Sequence, residues 1–113
     1  MPGTLKTLAG PAYLPNAVAN VYTPPAATIY NAIRQIHLVN KTAGAVTATL
    51  YVGATGGSAG GTEILAGQSI PANTPYDMYF NPALKMTSTD FLTGVASAAS
   101  SIVITVIGEQ NVV

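Results

Sequence analysis

"VTATLYVGATGGSAGGTEILA", residues 46–66, decides the fold class. Its first third alternates: Val46, Ala48, Leu50 and Val52 are apolar, with Thr47, Thr49 and Tyr51 between them, the period of two expected of a half-buried β-strand. Five glycines then occupy the nine positions 53–61. A P-loop needs G-x-x-x-x-G-K-[ST], because its lysine neutralises phosphate and its hydroxyl holds magnesium; no lysine lies near this run. A dinucleotide fingerprint opens with G-x-G, which glycines 53, 56, 57, 60 and 61 never supply. The run is a loop joining "VTATLYV" to a second strand, "TEILA", and its functional alternative is a mobile contact loop.

Working outward, "TIYNAIRQIHLVN" (28–40) is rich in β-branched and aromatic residues, and "KTAG" (41–44) separates it from the alternating strand. A short turn with a glycine predicts an antiparallel hairpin of these two runs. Downstream, "QSIPA", "YDMYF" and "SIVITVIGE" are each bounded by Gly, Pro, Asn or Ser. In the last of them Ile102, Ile104 and Val106 share one face and Val103, Thr105 and Ile107 the other, the pattern of a central strand covered on both sides. Only "ALKMTSTDFL" (83–92) offers a helical turn, with Asp90 to cap it. Seven or so strands with turn signals between them predict an all-β chain: a single antiparallel β-sandwich, jelly-roll or Ig-like, with a small barrel as the other closure. Pro2, Pro11, Pro15, Pro24 and Pro25 predict that residues 1–30 form an extended proline-rich arm with one short strand at "AVANVY", leaving 31–113 as the sandwich domain. Val18, Val21 and Tyr22 favour an arm ordered against a neighbour over a loose terminus.

Of the 113 residues, 49% are hydrophobic and 7% charged, a balance that leaves a lone monomer short of solubilising charge. Some apolar surface is therefore expected to meet a partner. Lys6, Arg34, Lys41 and Lys85 are scattered, which gives nucleic acid no electrostatic footprint. No apolar run approaches the ~18 residues of a membrane span, and no signal-peptide h-region opens the chain, so membrane and secretory roles are not expected. Without cysteine there is no thiolate chemistry and no disulfide.

Chemistry has few candidates. His37 is the only histidine, so a three-ligand metal site has no second imidazole or thiolate to draw on, and a packed or edge-strand histidine is expected. Ser58, Ser69, Ser88 and Ser97 lie in no G-x-S-x-G elbow. Glu63, Asp77, Asp90 and Glu109 show no spacing that makes two converge, and no calcium-loop motif is present. No enzyme activity, cofactor or metal is expected. In "PYDMYF", Tyr76, Met78 and Phe80 alternate towards a core and Tyr79 faces away with Asp77. The interface candidates are Tyr13, Leu14, Val18, Val21, Tyr22, Tyr51 and Tyr79, since large rigid aromatics bury area at low entropic cost.

The pattern "IRQIHLVN … TLYVGATGG … SIPANT … YDMYF … DFLTGVASAASSIVITVIGE" over residues 33–109 resembles small structural proteins of tailed bacteriophages. That resemblance implies a virion component of the capsid-decoration or head/tail accessory kind. It implies a cement protein, expected as a homotrimer, that binds the major capsid protein and copies of itself on the capsid surface after assembly in the host cytoplasm. A tail-tip or fibre module is the alternative, with Tyr79, Tyr51 and the 53–61 loop facing a host carbohydrate. The resemblance assigns no role to any single residue.

Overall fold

The computed structural model describes residues 4–23, 28–53, 62–87 and 90–112. They form eight strands: β1 (Thr4–Tyr13), β2 (Ala19–Tyr22), β3 (Thr28–Asn40), β4 (Val46–Gly53), β5 (Glu63–Ile70), β6 (Pro75–Met86), β7 (Phe91–Ala96) and β8 (Ile102–Val112). Strands equally far from the 54–61 connection pair antiparallel: β4 with β5, β3 with β6, β2 with β7 and β1 with β8. This four-rung ribbon is rolled, so that β8 also pairs β3 and β7 also pairs β4. The result is one sheet of order β1-β8-β3-β6 packed on another of order β2-β7-β4-β5. Two four-stranded sheets in that order are a jelly roll. The glycine run sits where the ribbon turns back on itself, and residues 54–61 lie outside the described residues.

Alternation sets the core. Val46, Ala48 and Leu50 of β4 face Ile33, Ile36 and Leu38 of β3 and Ile102, Ile104 and Val106 of β8 in one buried cluster. Each large aliphatic side chain there contributes about 1.5–3 kcal/mol by leaving water. Tyr76, Met78 and Phe80 of β6 pack against the cluster from the side, as their spacing predicts. β8 is the central strand expected, although its outer residues Val103, Thr105 and Ile107 are half-exposed instead of covered.

Three expectations are corrected. Within the stretch expected as an extended arm, the described residues 4–23 are built into the sandwich: β1 and β2 are edge strands of the two sheets, Leu14 is fully buried, and the 30/31 boundary falls inside β3. Proline was no obstacle, because Pro11 sits in an edge strand whose register is already broken between Ala9 and Ala12. Next, β3 and β4 do not form a hairpin but belong to different sheets. The "KTAG" segment carries the chain from one layer to the other, where the Asn40 side chain donates to the carbonyls of Gly44 and Ile70 and accepts from the Thr42 amide. Finally, β6 and β7 are joined without a helix among the described residues. Asp90 ties that connection by accepting hydrogen bonds from the Thr87 amide and hydroxyl.

Strand addition at the sheet edges is discouraged. Pro11 and the β1 irregularities blunt one edge, and Pro82 and the break opposite Ile33–Gln35 blunt the β6 edge. On the second sheet, β2 has only four residues and β5 is bulged against β4.

Candidate functional site

Residues paired directly across strands share a face, so the register reads out the outer surface of the β1-β8-β3-β6 sheet row by row. Tyr13, Val103, Val39 and Pro75 form one row; Thr105, His37 and Asp77 the next; Thr7, Ile107, Gln35 and Tyr79 a third. Tyr79 is 73% exposed, Leu5 66% and Tyr13 49%, and the fourth exposed large hydrophobic, Val18, lies between β1 and β2. A shallow depression of about 280 Å³ lined by Pro11, Ala12, Tyr13 and Val103 opens on the same face. At its rim the Lys41 ammonium donates to the Tyr13 hydroxyl at 2.7 Å and lies 5.0 Å from the ring centre. The outer face of the other sheet carries Thr47, Thr49, Tyr51 and Val95, with Thr93 buried among them, and among the described residues none of the large exposed hydrophobics.

In the middle of the first face, Asp77 Oδ1 accepts hydrogen bonds from Gln35 Nε2 at 3.0 Å and from His37 Nδ1. The His37 bond, and more weakly that of Gln35, holds the Asp77 carboxyl below the ordinary carboxylate value against some desolvation. A carboxylate with a depressed folded pKa lends stability above its unfolded pKa and loses it as pH falls through the folded one. Asp77→Asn is therefore expected to flatten the acid limb of the stability profile below about pH 4. Urea titrations of both proteins from neutral to strongly acidic pH check this; parallel acid limbs would show that the contact is energetically idle.

The placement of the sequence-derived candidates is uneven. Leu14 lies wholly in the core and has no surface to offer. Val21 and Tyr22 pack against the core, and the Tyr22 hydroxyl accepts from Asn31 Nδ2 at 3.0 Å. Burial pushes the Tyr22 pKa up, opposed by that hydrogen bond and one from Gln110. Tyr13 and Tyr79 share the first face, whereas Tyr51 lies on the second sheet opposite Glu63 and Thr93, so Tyr51 and Tyr79 cannot form one sugar platform. His37 is neither in the core nor on an edge: it stands on the outer face of β3, between β8 and β6. Sequence reasoning missed Leu5 and the Gln35–Asp77–His37 cluster; the period of two in β3 and β6 carries the facing, but the register that joins them does not appear in sequence.

His37 is bonded through Nδ1 to the Asp77 carboxylate, and among the described residues no three His, Asp or Glu side chains gather for a metal. Glu109, on the same sheet as Asp77, is engaged by Arg34 Nη2 at 2.7 Å and Nε at 3.0 Å.

No family model matches the chain, and no curated protein matches it. Among solved structures it is similar to one of infectious bursal disease virus, Gx strain, at 14% identity and a TM-score of 0.45, covering 97% of this chain and 30% of that one. It is also similar to a pentameric capsid protein isolated from metagenomic phage sequences, at 18% identity and a TM-score of 0.41, covering 95% of this chain and 66% of that one. A second crystal structure described in the same words gives 19%, 0.38, 95% and 65%.

Proposed function

We propose that this chain is a non-enzymatic structural protein of a bacteriophage virion, and that it decorates and stabilises the capsid by binding the major capsid protein. The observation that carries this reading is the outer face of the β1-β8-β3-β6 sheet, where Leu5, Tyr13 and Tyr79 stand exposed around the half-exposed Val39, Val103 and Ile107. A chain with 7% charged residues leaves such a face costly to keep wet. Blunted edges direct contact to the face itself, and large rigid aromatics are the side chains that anchor interfaces. The sequence resemblance over residues 33–109 points to the same setting. Quantitative mass spectrometry and cryo-electron microscopy of purified particles test it: many copies in ordered positions on the shell support decoration, and absence from particles rejects it. Tyr79→Ala is expected to weaken binding to shells by about 2 kcal/mol, the size of a hot-spot loss, read as a lower copy number on reconstituted shells.

A second reading, recognition of a host saccharide, is favoured by one feature. The exposed Tyr79 ring pairs directly across from Gln35 and lies one row from His37 and Asp77, an aromatic platform beside planar polar groups. Saturable binding on a glycan array that Tyr79→Ala abolishes would move the protein to the tail or fibre; a silent array removes this reading.

A further inference from the structure

Resting on the reading of this chain as a capsid-binding virion protein, we propose that the depression lined by Pro11, Ala12, Tyr13 and Val103 is its anchor point on the major capsid protein. It receives one apolar side chain of that partner, while Lys41 and Tyr13 together hold the carboxylate of an Asp or Glu beside it. At about 280 Å³ the hollow falls below the roughly 300–1,000 Å³ of pockets that enclose small molecules. Its lining is apolar apart from the Tyr13 hydroxyl, which suits a single apolar side chain.

The fold builds this hollow at a break in an edge strand. β1 loses register with β8 between Ala9 and Ala12. Gly10, at the break, has a φ of 81°, and a Cβ there would run into the Ile104 carbonyl oxygen, so the bulge admits no side chain at that position. From the hollow an apolar row continues across the sheet, from Tyr13 to Val103, Val39 and Pro75. Three strand spacings make that row about 14 Å long, the reach of about four extended residues. A short segment of a protein covers such a row, whereas a small molecule in the hollow leaves most of it wet.

Lys41 decides the charge of what binds. Its ammonium is bonded to a neutral hydroxyl, and it forms no ion pair with a carboxylate among the described residues. Asp77, one row away, stands on β6, three strands from β1, and is engaged by His37 and Gln35. An ammonium carries three hydrogens, so the bond to Tyr13 leaves two for a ligand. The Tyr13 hydroxyl accepts from Lys41 and therefore keeps its own hydrogen to donate. With the two donor atoms 2.7 Å apart, both reach one carboxylate, and charge-assisted bonds of this kind are the strong ones. A neutral partner would bury the cation without a counter-charge once the face is covered, which is costly; an Asp or Glu supplies that charge.

The test titrates shells of the major capsid protein with the full chain at low ionic strength, with circular dichroism to confirm that each variant is folded. Lys41→Met keeps the stem and loses the charge, and Tyr13→Phe loses only the hydroxyl; each is expected to weaken binding about tenfold. The double variant is expected to fall within about threefold of Lys41→Met alone, because both donors serve one carboxylate. A carbodiimide, which condenses an amine with a carboxylate and releases water, is expected to link Lys41 to one Asp or Glu of the major capsid protein. Mass spectrometry of the linked peptide should find an apolar residue next to that carboxylate. Single variants that bind as tightly as the wild type, a double variant whose loss is the product of the two singles, or a Lys41 link to another copy of this chain overturns the anchor. Where the chain is nonetheless present on purified particles, the decoration reading stands and only this site is lost; a chain absent from particles rejects both.

Discussion

Replacing Gly108 by alanine is expected to destabilise the protein by about 3 kcal/mol or more, the upper end of overpacking effects. Gly108 lies in β8, between β1 and β3. A Cβ there would run into the Ala32 carbonyl oxygen and would stand 3.0 Å from both Ile33 Cα and Leu8 Cδ1. The first two belong to the backbone of β3, which cannot retreat without stretching the ladder that builds the sheet. Gly94 is the informative comparison, because a Cβ there meets Leu50 Cδ2 at 2.7 Å and Leu14 Cδ1 at 2.8 Å, the tips of side chains, and its nearest backbone atom, the Thr49 carbonyl oxygen, stands farther off at 3.3 Å. Gly94→Ala should therefore cost less, about 1–2 kcal/mol. Gly44→Ala, with nothing within 4 Å, should be near neutral. Urea unfolding of the three variants checks the ranking; a Gly108→Ala protein as stable as Gly44→Ala would mean that β8 and β3 have room the structure denies.

Those glycines show what a sequence carries and what it withholds. Period-two runs made β4, β6 and β8 legible, because alternation is local and one buried face is enough to enforce it. Pairing was not legible: β3 meets β6 and β8, not the β4 that follows it, and a turn with a glycine reads the same whether it closes a hairpin or passes between layers. The place of residues 4–23 in the two sheets is hidden for a related reason. Prolines look like strand breakers until the strand is known to be an edge, and Leu14 shows its value only once the sheets close over it. Of the candidate site, Tyr79 was visible through its opposition to Tyr76, Met78 and Phe80, whereas the His37–Asp77 bond spans forty positions of sequence. Glycines 94 and 108 fall inside the quoted phage-like pattern, yet nothing in the sequence says that each one marks a close approach.

The second large effect is expected at Asn40, the end of the same pattern's "VN" strand. Its side chain is fully buried and makes five hydrogen bonds. Nδ2 donates to the carbonyls of Gly44 at 2.8 Å, Ile70 at 2.9 Å and Pro71 at 3.3 Å, while Oδ1 accepts from the Thr42 amide at 2.9 Å and its hydroxyl at 2.7 Å. Around it the Asn40 amide donates to the Thr74 carbonyl, the Lys41 amide to that of Ser101 and the Asn73 amide to that of Thr42. One side chain thus joins the end of β3, the β5–β6 turn "IPANT" and the crossing to β4. Asn40→Ala leaves those polar groups without a partner and should cost about 2–4 kcal/mol, more than a typical substitution. Asn40→Asp is sharper because it changes almost no volume. It replaces two donor hydrogens by an acceptor aimed at three carbonyls, in a place that disfavours charge, so the new carboxyl is expected to have a raised folded pKa. A raised folded pKa means that the penalty is absent below the unfolded value near ~4 and grows as pH rises through the folded one. The variant should therefore approach Asn40→Ala or better in acid and fall well below it at neutral pH, in urea titrations at both. Equal losses at the two pH values would mean that the aspartate has turned to solvent and that the turn network holds without it.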